Sequence, residues 1–169
     1  MRRCADKPAH APGVCVELRA DRAPAHHRHM NYSDTLILVA TDCKAGTAIV
    51  PPSRAGAKTV AELQYEMMSS APYRHTQEDI LFEVHLRRAD LSDADRKRRR
   101  DELREAFFQK PQACLRASPL PKTYGWGIHF DGEGRAALVA RESAQYARMA
   151  DGGRGGPKLL AAMRSKRAG

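Results

Sequence analysis

The sequence predicts an α+β fold, a small antiparallel sheet packed with three or more helices in a single domain, and three kinds of observation predict it. Short runs rich in branched and aromatic residues, such as Thr35–Ala40 and Thr123–Phe130, have the length and composition of strands. Asp131-Gly-Glu-Gly134, lying before a further run at Arg135–Ala140, is a turn signal that makes a hairpin of the two flanking runs. Capping residues at Thr59, Thr76, Ser92 and Ser143 open segments whose apolar residues have helical spacing.

At 169 residues and 42% apolar content, the chain can bury one core without staples. No run approaches the roughly 18 apolar residues of a membrane span. The Met1-Arg2-Arg3 start is followed by Asp6, Lys7 and His10 rather than by an apolar stretch. The expectation is a cytoplasmic protein with reduced thiols and no membrane partner. The net charge of +9 is uneven: residues 1–29 carry +3, residues 30–150 carry +2 and residues 151–169 carry +4. Arg154, Lys158, Arg164, Lys166 and Arg167 therefore make nucleic acid a candidate partner of the C-terminal tail, although such tails are commonly just solvated.

Residues 1–29 are rich in Ala, Arg, Pro and His without periodicity, and read as a disordered N-terminal arm or a mis-assigned start. Cys4, His10, Cys15, His26, His27 and His29 lack metal-ligand spacing, so no metal is expected there. The domain body spans 30–167, with 168–169 as a tail. Thr35–Ala40 is a buried strand ended by residues 42–46, and Thr47–Val50 is a second extended piece that Pro51-Pro52 terminates. Thr59 and Glu62 form a capping box for a helix to about Ser70, with Val60, Leu63 and Met67 on one face.

From Thr76 to Leu91 two patterns compete. Ile80, Leu81, Val84 and Leu91 fit a helix, Ile80, Phe82, Val84 and Leu86 fit a strand, and capping and length favour the helix. Ser92 begins a third helix to about Gln109, where Asp95 with Arg99, Lys97 with Asp101, and Arg98 with Glu102 stand four apart. On that spacing the basic run Arg96–Arg100 reads as a salt-bridged solvent face rather than a nucleic-acid patch. Ala113–Ala117 reads as a strand, and Ser143 caps a helix to Met149. Glycines between 152 and 156 then loosen the chain, and Pro157 starts an amphipathic helical turn or two with Leu159, Leu160 and Met163.

Five blocks, Asn31-Tyr-Ser-Asp-Thr, Val60-Ala-Glu-Leu-Gln-Tyr-Glu-Met67, Cys114-Leu-Arg-Ala-Ser-Pro-Leu120, Tyr124-Gly-Trp-Gly-Ile-His-Phe-Asp131 and Ala162-Met-Arg-Ser-Lys-Arg167, resemble those of an uncharacterised bacterial family, domain of unknown function 6157. The resemblance runs from Met30 to about Arg167. It implies that residues 1–29 lie outside the family body, and it brings no activity, cofactor or catalytic residue with it.

The candidate site is the hairpin and the segment leading into it. Gly125 and Gly127 flank the single tryptophan, Trp126, which fits either a ligand stacking on the indole beside Tyr124 and His129, or another element crossing closely over the backbone. Strand alternation sends Trp126 and His129 to opposite faces. Arg116, Ser118 and Lys122 offer donors for a phosphate or carboxylate on a loop stiffened by Pro119 and Pro121, and Arg164, Ser165 and Lys166 join them if the last segment folds back. The same side chains would equally serve to cap that loop.

Two function classes stay open. One is a non-catalytic binding or regulatory module for an anionic ligand, a phosphate-bearing small molecule or nucleic acid. The other is a small enzyme using Cys114 or His129, with Cys43 and His75 or His85 as weaker candidates. No phosphate-binding glycine loop, paired-cysteine zinc motif or nucleophile elbow is present, and no cofactor is indicated.

Overall fold

The computed structural model describes residues 31–165 apart from residue 54, so expectations for the N-terminal arm and for Lys166 fall outside the described residues. Four strands, β1 (Thr35–Leu38), β2 (Trp126–Phe130), β3 (Ala136–Ala140) and β4 (Lys158–Ala161), form one sheet in the order β3-β2-β1-β4. The fold is α+β. β2 runs antiparallel to both neighbours, with Ile128 opposite Ile37 on one side and Leu138 on the other. β4 joins β1 in parallel, with Leu36 opposite Leu159, so the antiparallel sheet gains a parallel edge and is mixed.

That edge corrects the helix expected after Pro157. The segment is a strand because β1 has an open side, and Lys158 N–H donates to Asp34 O (2.6 Å) while Ala162 N–H donates to Leu38 O (3.1 Å). One or two isolated helical turns would not repay the cost of nucleation. Leu159 and Leu160 consequently point to opposite faces of the sheet rather than sharing one helical stripe.

The helices are α1 (Val60–Ser70), α2 (Gln77–Arg88), α3 (Asp93–Arg98), α4 (Arg100–Phe108), α5 (Pro119–Thr123) and α6 (Ala144–Ala150). α1 and α2 open on complete capping boxes, Thr59 with Glu62 and Thr76 with Asp79. The strand-like alternation in α2 has a physical source, because this helix is covered on two sides. Ile80 and Val84 enter the main core, whereas the Phe82 ring meets Phe107 of α4 at 6.0 Å.

The expected third helix breaks at Arg99 (φ −107°, ψ 20°), which separates α3 from α4. The break changes the ion pairs. Arg96–Asp93, Arg98–Asp95 and Arg99–Glu102 are three apart instead of four, and Arg100 crosses to Glu83 of α2. The basic run is thus a salt-bridged surface with a different pairing.

Ala113–Ala117 is not a strand. Leu115–Ala117 forms a 3-10 turn, and Ser118 caps α5, whose first position is Pro119, where no backbone donor is needed. Gly125 (φ 70°) then ends α5 in the left-handed conformation, so β2 starts at Trp126 rather than at Thr123. One face of the sheet, carrying Ile37, Ile128, Phe130 and Ala136, packs against Leu63 and Met67 of α1, Ile80 and Val84 of α2, and Leu120 of α5. The other face, carrying Leu36, Gly127, His129 and Val139, receives α6 through Tyr146, whose hydroxyl accepts from Val39 N–H (3.0 Å).

Candidate functional site

The structure distributes the predicted site residues over three places. Ser118 is buried; its Oγ donates to Oε1 of Gln64 (2.6 Å) and accepts from Leu120 N–H (3.1 Å), which are the bonds of a helix cap. Lys122 sits half-buried on α5 and has no ion-pair partner among the described residues. Tyr124 O accepts from Ile49 N–H (2.8 Å), and the Trp126 indole N–H donates to Ile49 O (2.9 Å) while its ring meets Tyr65 at 5.5 Å. The two glycines are approached by protein. A Cβ at Gly125 would stand 2.6 Å from Thr47 O, and one at Gly127 would stand 2.7 Å from Cε2 of Tyr146.

A second group forms around Arg116. Its Nε donates to Ala161 O (2.8 Å) and its own carbonyl accepts from Met163 N–H (2.9 Å), so the C-terminal segment does fold back onto this part of the chain, as a strand and its extension. Arg164 follows Met163 on the surface, and Ser165 N–H donates to Oδ2 of Asp42 (2.8 Å). Among the described residues neither Arg116 nor Arg164 pairs with a carboxylate. Tyr32, which sequence reasoning missed, joins this corner. Burial first, then its hydrogen bond to Cys114, push the phenol up to about 12 against the opposing field of Arg116. The hydroxyl therefore stays neutral across the whole physiological range, with Cys114 as its hydrogen-bond neighbour.

His129 lies apart from that corner. Tyr32 packs edge-on against Phe130 (5.4 Å), on the face opposite His129, so Cys114 and His129 are divided by the sheet and form no nucleophile–base pair. The partner of His129 is Tyr73, with the hydroxyl 2.9 Å from Nδ1 and the rings perpendicular (84°). Tyr73 has φ 55°, an outlying conformation for a bulky side chain, and its N–H donates to Ala136 O (3.0 Å). Of the weaker candidates, His85 stacks on Phe107 (4.6 Å) and His75 donates no side-chain bond among those described, its carbonyl accepting from Ala136 N–H (2.8 Å).

Burial holds His129 below its ordinary value of 6.5, against the pull of the Asp131 and Asp34 carboxylates. In the window between the lowered folded value and 6.5 the unfolded chain binds the proton more readily. The stability contributed by the neutral ring is present above 6.5 and is lost as pH falls through the folded value. Urea midpoints measured between about pH 7.5 and about pH 5 should fall for the wild type and fall less for a His129→Gln variant. Equal slopes would show that another group governs the acid limb.

No sequence signal gave Tyr73 or Tyr32 a place in a site, although Tyr32 lies in the family-like block that begins at Asn31. Both act through distant contacts, and a left-handed tyrosine has no composition signature. Two open depressions of about 340 and 510 Å³ flank the C-terminal half of α2, lined by residues including Arg87, Arg96 and Lys58, and share no residue with either group. Among the described residues no helix is long and apolar enough to cross a membrane, and no three His, Cys, Asp or Glu side chains gather as metal ligands.

Comparison with known proteins gives one match, a family model described as a family of unknown function (DUF6157), over residues 27–168. The match begins inside the arm that the sequence reading closed at residue 29. No curated protein and no solved structure matches.

Proposed function

We propose that this chain, which belongs to DUF6157, a family of unknown function, is a binding module for a small phosphate-bearing molecule held at the Arg116 corner. The observation that carries the reading is the pair of bonds from Arg116 to the C-terminal segment, Nε to Ala161 O and Met163 N–H to Arg116 O. They bring the returning segment, with its exposed Arg164, back to Arg116, which lies in the field of the Tyr32 phenol, and neither arginine has a carboxylate partner among the described residues. Arginine presents a rigid fork of donors, and with Nε engaged the terminal nitrogens of Arg116 remain for a phosphate. Asp42, the carboxylate that meets this segment, already accepts from Ser165 N–H. In this reading Ser118, Tyr124 and Trp126, whose contacts go to Gln64, Ile49 and Tyr65, serve the fold rather than the ligand.

Thermal unfolding of the full chain with inorganic phosphate, pyrophosphate, a nucleoside monophosphate and an oligonucleotide tests this reading. A ligand at about a hundred times its Kd adds about 2.7 kcal/mol to stability, which reads as a clear rise in Tm. Arg164→Ala should abolish that rise while leaving the ligand-free Tm unchanged, since the side chain makes no bond among those described. A full rise in the Arg164→Ala variant, or none in the wild type with any anion, counts against the site. A rise with the oligonucleotide alone, falling steeply with salt, would assign the corner to nucleic acid instead.

A further inference from the structure

We propose that Tyr73 and His129 form a reactive pair, with the phenol as nucleophile and the imidazole as its general base, in a site that takes an acyl group from an activated ester. The inference is independent of the Arg116 corner, which lies across the sheet.

Geometry carries it. Tyr73 Oη and His129 Nδ1 are at 2.9 Å, the reach a nucleophile and its base require, and the two rings meet edge to face at 84°. Both partners are held from outside the pair. His129 lies mid-sheet between Leu36 of β1 and Ala137 of β3. Tyr73 is held in its left-handed conformation by its N–H bond to Ala136 O. A bulky residue kept at φ 55° between two helices is the kind of backbone outlier that concentrates at reactive positions.

The charges around the base suit its task. Asp131, at the end of β2, and Asp34, leading into β1, both favour the imidazolium that proton transfer creates. Arg135, entering β3, is paired with Glu133. Before reaction burial favours the neutral form of the half-buried ring, and in the tautomer with its proton on Nε2 the Nδ1 atom accepts from the Tyr73 hydroxyl. Burial and the Asp131 charge raise Tyr73, so the phenol does not ionise unaided near neutral pH and depends on the base.

In the step itself Tyr73 Oη attacks the ester carbonyl carbon as its proton passes to Nδ1. The tetrahedral intermediate then expels the leaving oxygen, which takes the proton back from the imidazolium, leaving O-acyl tyrosine and a free alcohol. Water activated by the same nitrogen can release the acid.

The test is acetylation of the full chain by p-nitrophenyl acetate, followed by peptide mapping and by release of p-nitrophenol. The label is expected on Tyr73 in preference to Tyr65 and Tyr124, absent in Tyr73→Phe, and slowed by about 100-fold in His129→Gln. The wild-type pH profile decides even if the variants fail to fold. Assistance by His129 makes the Tyr73 rate level off above the histidine range, whereas an unassisted phenol, raised as this one is, keeps climbing past about pH 10. A rate that keeps climbing, label spread evenly over the tyrosines, or an unchanged rate in His129→Gln overturns the proposal.

Discussion

Replacing Phe130 by alanine should lower the free energy of unfolding by about 3–5 kcal/mol, a large part of the 5–15 kcal/mol typical of a domain. Phe130 is fully buried where the sheet meets the helices, opposite Thr35 on one side and Ala136 on the other. Truncation removes its burial and leaves a cavity that the paired strands cannot close. The Tyr32 ring, which packs edge-on against it at 5.4 Å, loses its support as well. The same variant should therefore disturb the Arg116 corner while sparing His129 on the other face. Urea unfolding at neutral pH measures the loss; a change below about 1 kcal/mol would mean that the core is not centred here.

The Gly125→Ala variant should lose about 2–4 kcal/mol, by a different route. At φ 70° any side chain is strained, and the new Cβ would lie 2.6 Å from the carbonyl oxygen of Thr47. That neighbour is backbone and cannot swing aside. Relief requires displacing the 47–49 segment, and with it the bond from the Trp126 indole to Ile49 O. Trp126 is the single tryptophan of the chain, so its fluorescence reports the displacement directly. Unchanged emission and an unchanged midpoint would show that the Thr47 segment is not anchored against Gly125.

These two positions show what the sequence could reveal. Strand composition and the glycine turn announced β2 and β3, the Thr59 box announced α1, and the Thr76 cap with the segment's length tipped α2 toward helix, because each signal is local to a few residues. Failures came where a partner distant in sequence decides the outcome. Leu159 and Leu160 suit a helical face as well as two faces of a strand, and only the open side of β1 makes them a strand. Ser118-Pro-Leu-Pro looked like a stiff loop, yet a capping serine before a first-turn proline is also a helix start, and the buried Gln64 contact favours it.

The candidate site was legible in the same uneven way. Arg116 and the returning C-terminal segment could be guessed from their donors, whereas Tyr32 and Tyr73 enter through packing that has no local signature. Trp126 and its glycines fitted either a ligand platform or a close crossing by another element. Their surroundings are the Thr47 backbone and the Tyr146 ring.

The most direct test of the anion-binding account is a nitrogen-15 NMR titration of the full chain with pyrophosphate, following the Nε–H of Arg116 and the amide of Met163. These two groups make the bonds that join Arg116 to the C-terminal segment. The account predicts that both shift together and saturate, with the Trp126 indole and His129 ring signals unmoved. Resonances of Arg116 and Met163 that stay fixed while signals elsewhere shift and saturate would contradict it.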